Sequence, residues 1–215
     1  GLLRNIPVLE KAAAGRGSLT LRPERDGVVR RVPMVMKAGG DIIPALSLDM
    51  LRAVTGSGAI LIRTDPGVGI RAVAVPGLQM PTDENGQLWI NFAPHDQNRY
   101  ISAKDVFNGN FPPDRFQQRL VLIGTSAAGL LDLKATPLES AMPGVEAHAQ
   151  ILENVLSQSL LSRPNYAVGV ELVTSAVFGI IFVVMAPAVG AITLLTLGLL
   201  TAAAMAAGSW YFFTQ

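Results

Sequence analysis

The chain contains no cysteine, which excludes disulfides, thiolate metal sites and cysteine nucleophiles. Histidine is nearly absent too. His95 and His148 stand far apart in sequence with no second histidine at ligand spacing, so neither a metal centre nor any other cofactor site is indicated. No charge sign dominates: 17 Lys and Arg face 16 Asp and Glu. That balance gives no electrostatic basis for nucleic-acid binding. Charge itself is missing from the final quarter. Residues 1–163 hold all 17 basic and 15 of the 16 acidic residues, a formal +2, and beyond Arg163 the only charge is Glu171.

Hydrophobic residues make up 50% of the 215-residue chain, and they concentrate where charge is lacking. Residues 168–185 and 188–213 are two apolar stretches, each near or above the roughly 20 residues that span a bilayer. Pro187 breaks the run between them, which predicts a membrane hairpin with lipid as its partner. Trp210 and Tyr211 at the far end, and Tyr166 at the near end, suit the interface. Glu171 lies one turn inside the first stretch, shallow enough to reach the headgroups. Ala204 and Gly208 form a small-xxx-small pair. The loop between the stretches has no Lys or Arg, so orientation is not readable from it. The start, "GLLRNIPVLEKAAAG", shows no signal peptide and reads as a fragment of a longer parent.

Residues 1–163 read as a folded domain. "IPVLEKAAAG" is the end of a helix, stopped by Gly15. Leu19 and Leu21 alternate with polar neighbours, and Asp26-Gly27 would turn that strand into a second one over residues 28–36. Asp41 would open a helix with Pro44 in its first turn and Leu46, Met50 and Val54 on one face, ended by Gly56. Short strands are expected over residues 59–62, 72–75 and 88–92, with an Asn-Gly turn before the last. Ser102 and Asp105 have capping-box spacing for a helix ending at Gly109. Residues 120–123, wholly apolar, read as a strand buried on both faces. Residues 145–160 read as a helix, with Val145, Ala149, Leu152 and Leu156 on one side. The expected architecture is α/β: a mixed sheet with packed helices forming an extracytoplasmic domain, then two transmembrane helices.

The stretch "LVLIGTSAAGLLDLKATP" is the place to look for chemistry. Gly124 and Gly129 have the first spacing of a P-loop, but Leu130 stands where the phosphate-binding lysine belongs. A nucleophile elbow needs G-x-S-x-G, and here the second glycine is one place late. Ser126, Asp132 and His148 occur in hydrolase order but too close together in the chain, which leaves a membrane-anchored hydrolase only as a rival class. No catalytic residue is assigned. His95, in "FAPHDQNRY", reads as a solvated loop residue, and His148 as a structural or ligand-touching helix residue.

The segments "ERDGVVRRVP", "PALSL", "PTDENGQLWINFAP", "ISAKDVFNG" and "LVLIGTSAAGLLDLKATPLESAMPGVEAHAQILENVL", with apolar spans after them, together resemble the CHASE domain of the second type over about residues 10–163. The name stands for cyclase/histidine-kinase-associated sensing extracellular domain. The resemblance implies a sensory input module, extracytoplasmic over residues 1–163, in a bacterial plasma membrane. It implies an N-terminal anchor, often three C-terminal spans, and an intracellular output. A class III adenylate or guanylate cyclase is favoured over a histidine kinase, serine/threonine kinase or diguanylate cyclase. A homodimer and an extracytoplasmic ligand of unknown identity would be its partners. Ligands of α/β sheets gather beyond strand carboxyl ends. Thr125, Ser126, Asp132 and Thr136 follow such an end, and Glu146 and His148 open the next helix. These six are the candidate ligand-binding residues, with bracing of the loop as their alternative role. The helix over residues 145–160, joined to the first span by "SRPNY", would carry the signal with little slack.

Overall fold

The computed structural model describes residues 5–125, 132–162 and 166–214. The chain divides into two compact units, Gly1–Ser162 and Arg163–Gln215. The first is mixed α/β. Helix α1 (Pro7–Ala12) ends before Gly15, and its cap is Ala13. Strands β1 (Arg31–Pro33), β2 (Val35–Ala38) and β3 (Asp41–Pro44) precede helix α2 (Leu46–Val54). Strands β4 (Leu61–Asp65), β5 (Gly69–Val75), β6 (Leu78–Pro81) and β7 (Gln87–Trp89) follow. Helix α3 (Ala103–Asn108), strands β8 (Leu133–Lys134) and β9 (Met142–Pro143), and helix α4 (Gly144–Leu156) complete the unit. The named strands form four small sheets, β1-β7, β2-β3, β4-β5-β6 and β8-β9, every pair antiparallel.

Several elements differ from the sequence expectation, each for a physical reason. Gly27 takes φ +82° and Asp26 accepts a bond from the Val28 amide, so the Asp-Gly turn exists. It closes no two-stranded hairpin, because β1 pairs with β7, Arg31 facing Trp89, and Val28 bridges Ala135. Residues 41–44 form a strand and not a first helical turn. The two-residue Gly39-Gly40 loop, with Gly39 at φ +65°, lets β3 fold back on β2 in the register Ala38↔Asp41. In α2 the buried face is Leu48 and Leu51, while Val54 is 66% exposed. Residues 120–123 form no strand: Leu120 and Leu122 rest against the core, and Val121 and Ile123 face outward. Strand β6, not expected from sequence, pairs with β5 and buries Met80 in the core.

The core lies between the sheets and two helices. Val32 and Leu88 are register partners across β1-β7, and Val73 and Met80 across β5-β6; all four are buried completely. Leu48 and Leu51 from α2 and Ala147, Ile151 and Val155 from α4 close over them. The i, i+4, i+8 spacing of the α4 trio makes one helical stripe; of the Val145, Ala149, Leu152 and Leu156 side expected from sequence, Leu152 is buried in the core and Leu156 is exposed. The Asn85-Gly86 turn entering β7 is fixed by Asp83, whose Oδ1 accepts from the amides of Asn85 (3.0 Å) and Gln87 (2.9 Å). The second unit consists of helices α5 (Ala167–Met185) and α6 (Ala191–Thr214), joined by a turn containing Pro187. Both are long and apolar enough to cross a membrane.

Candidate functional site

Helix α4 has an apolar stripe and, beside it, a buried polar one. Glu146, Gln150 and Asn154 recur every four residues and are each less than a tenth exposed. Four helical residues advance about 6.0 Å and two strand residues about 6.6 Å. An extended segment can therefore be matched, rung by rung, to this stripe. Residues 91–95 are that segment. Asn154 accepts from the Asn91 amide (2.8 Å) and donates to the Asn91 carbonyl (3.0 Å). Gln150 accepts from the Ala93 amide (2.9 Å) and donates to the Ala93 carbonyl (3.0 Å). The side-chain amides thus do for this strand edge what a neighbouring strand would do.

The next rung is Glu146. Its Oε2 receives His95 Nδ1 at 2.8 Å and the Tyr100 hydroxyl at 2.5 Å, while the His95 amide donates to Glu139 Oε1 at 2.9 Å. The His95 and Tyr100 rings lie 5.0 Å apart at 44°. Arg99 grips Glu153 on the outer side of α4. Hydrogen bonding to Glu146 raises the His95 pKa, burial opposes the rise, and the charges of Glu146, Glu139 and Asp96 add to it. Burial first, then Glu146, pushes the Tyr100 phenol far up, so it stays a donor. An open cleft of about 550 Å³ lies here, lined by His95, Gln97, Tyr100, Leu133, Glu139 and Pro143.

The candidate residues from sequence distribute unevenly around this cleft. Glu146 sits at its back. Thr136 is buried and braces its rim: Thr136 N and Oγ1 donate to the Glu139 carbonyl, and the Glu139 amide returns a bond to Oγ1. Asp132 belongs to the start of α4, where its carbonyl accepts the Gly144 amide at 2.7 Å. A Cβ on Gly144 would stand 2.5 Å from Asp132 Oδ1. Thr125 is exposed at the end of the extended segment, and Ser126 lies outside the described residues. His148 is 1% exposed, and among the described residues neither ring nitrogen has a hydrogen-bond partner. Burial lowers its pKa, with the Leu19 backbone and Asp132 offsetting part of that. Its ring is not among the groups that line the cleft. His95, read from sequence as a solvated loop residue, is instead anchored to Glu146. Its anchoring partners are 44 and 51 residues away, so no local pattern announces them. Gln150 and Asn154 did leave a signal, the four-residue polar spacing beside an apolar stripe. Among the described residues, 120–123 form no strand, so the strand end expected ahead of Thr125 is not formed, and the named strands pair only antiparallel.

The family model for the CHASE2 domain matches residues 2–189, most of the chain. The chain belongs to the CHASE2 family. CHASE2 is an extracellular sensor domain of signalling receptors. The match runs past the first unit of this CHASE2 chain and through α5. No curated protein and no solved structure matched it. In this CHASE2 domain the ladder on α4 joins the apolar core to the His95–Tyr100 cleft. Among the described residues, the carboxylates there hold protons and amides in place, and no three His, Asp or Glu converge as metal ligands.

Proposed function

We propose that this CHASE2 domain is the extracytoplasmic input module of a bacterial plasma-membrane receptor whose output is a class III adenylate or guanylate cyclase. The observation that carries the reading is the junction. A folded, charged unit ends at Ser162, and a 19-residue apolar helix begins at Ala167. A sensor of external chemistry needs that adjacency, because ligand energy must reach the bilayer through covalent chain. The ligand would enter the cleft beside His95, Tyr100 and Glu139, with Glu146 and Thr136 positioning the walls. Asp132 and His148 support the same loop–helix junction from behind, and Thr125 and Ser126 precede it in sequence. Two copies would pair so that the spans of both move together.

Topology tests this directly. With residues 1–163 outside, the turn between α5 and α6 faces the cytoplasm and Gln215 returns to the outside. Alkaline phosphatase fused after Gln215 should be active, and the same fusion at Gly190 inactive. A cytoplasmic output then needs an odd number of further crossings. Phosphatase activity at Gly190 but not after Gln215 would invert the receptor and end this reading.

A further inference from the structure

Helix α4 does not run into the membrane helix. It stops at Leu156 in a closed cap: the Gln158 amide bonds the Val155 carbonyl, the Ser159 amide bonds the Asn154 carbonyl, and Gln158 takes φ +57°. That is a Schellman arrangement, and it commits the chain to leave the helix axis. Ten residues, 157–166, separate α4 from α5. The helix expected from sequence over residues 145–160 thus ends four residues earlier, at Leu156.

The chain leaving the cap instead returns to the strand that α4 grips. Leu161 forms an antiparallel bridge with Trp89, six residues before α5 begins. In the same register Asn91 faces Ser159, and Asn91 Nδ2 reaches the Ser159 carbonyl at 3.5 Å. The opposite edge of this strand belongs to β1: Arg31 pairs with Trp89 and stacks on its ring at 4.7 Å, and the Ile90 amide bonds the Arg30 carbonyl. Alternate residues of a strand present their backbone groups to the same edge. Along that one edge, residue 89 meets the linker, 91 meets Asn154, 93 meets Gln150, and 95 meets Glu139. The edge thus begins at the membrane-proximal linker and ends in the cleft.

The geometry points to the end of β7 and the segment that continues it, residues 89–95, as the element that carries a change at the His95–Tyr100 cleft to the linker entering the first span. Its two arrangements are latched, with five side-chain hydrogen bonds from Asn154, Gln150 and Glu139 holding its backbone, and unlatched. Residues 91–95, held by side-chain groups and lying beyond β7, can let go without breaking the β1-β7 sheet. A ligand at His95 biases the far end of the latch, and Leu161 registers it. The inference rests on the sensor reading for its purpose only. The physical tether is measured apart from topology or output, so either can fail alone.

The test uses the whole chain in lipid nanodiscs and hydrogen exchange at residues 159–162. Gln150→Glu keeps the side chain's shape but replaces the donor to the Ala93 carbonyl with an acceptor. It touches neither Leu161 nor Trp89. Exchange at residues 159–162 should rise about tenfold, the scale for losing one net hydrogen bond of local stability. Amides of residues 151–155 inside α4 should keep their protection. His95→Ala, at the partly exposed end of the latch, should act in the same direction and serves where Gln150→Glu fails to fold. The cysteine-free chain also allows a lock. Trp89→Cys with Leu161→Cys places two bridge partners at disulfide range, and oxidation should cancel the effect of Gln150→Glu on the linker. Unchanged linker exchange in both single variants, or a full effect that persists in the oxidised pair, overturns the proposal.

Discussion

The two histidines show how environment divides one residue type into opposite roles. His95 gains a carboxylate partner, so its folded pKa rises above the ordinary 6.5. Its contribution to stability is complete below 6.5 and is lost as pH rises through the raised value. His148 is enclosed without a partner, so its folded pKa falls. Its contribution is present above 6.5 and is lost as pH falls through the lowered value. Thermal unfolding separates them. His95→Ala should lower the midpoint more at about pH 5 than at about pH 8, since only the protonated ring pairs with Glu146 as a charge. His148→Leu should gain on the parent chain at about pH 5 and lose that gain at about pH 8. Equal shifts at both pH values for either variant would contradict the assignment. Sequence could not make this distinction. It could see that His148 lies on a helix, but not that the Leu19 backbone and Asp132 come near it. It could see His95 in a polar loop, but not that Glu146 and Glu139 meet it there.

At the scale of elements, local signals decided where turns fall, and long-range pairing decided what lies between them. Asp26-Gly27, Asn85-Gly86 and the Ser102 cap with Gly109 all form as their residues dictate. Each is settled by a bond within about four residues. Residues 41–44 went the other way. A Pro near a helical run suits a first turn, yet Gly39-Gly40 permits a tighter return, and β2 supplies four register partners that a helix turn would forgo. The face of α2 turned for a related reason. Leu46, Met50 and Val54 share a side, but Leu48 and Leu51 are the pair that meets the β-sheets and α4. Truncation tests this. Leu51→Ala should cost about 2–5 kcal/mol, because a cavity is left behind. Val54→Ala should stay within about 0.5 kcal/mol. Urea unfolding with an unchanged slope measures both, and comparable losses would restore the face that sequence suggested. The polar ladder on α4 follows the same logic: two helical periods fix Glu146, Gln150 and Asn154 on one line, and only the fold brings residues 91–95 alongside.

For the whole molecule, the division into a charged unit and an apolar one governs handling and function alike. Helices of 19 and 24 residues with one charge between them satisfy their backbone groups internally and are long and apolar enough to cross a bilayer. The purified chain should remain monodisperse only with detergent or a bilayer. Light scattering after detergent removal should show aggregation, and a stable monomer there would refute the membrane assignment. The sequence by itself determined this partition, the family, the turns and the existence of the α4 helix, because each depends on composition or on contacts a few residues apart. The tertiary structure alone decided which strands pair, which way α2 faces, that residues 120–123 stay unpaired, and that the chain leaving α4 returns to Trp89. Those outcomes are set by competition among distant segments for a limited number of hydrogen-bonding edges and one core, and a single stretch of sequence does not contain its competitors.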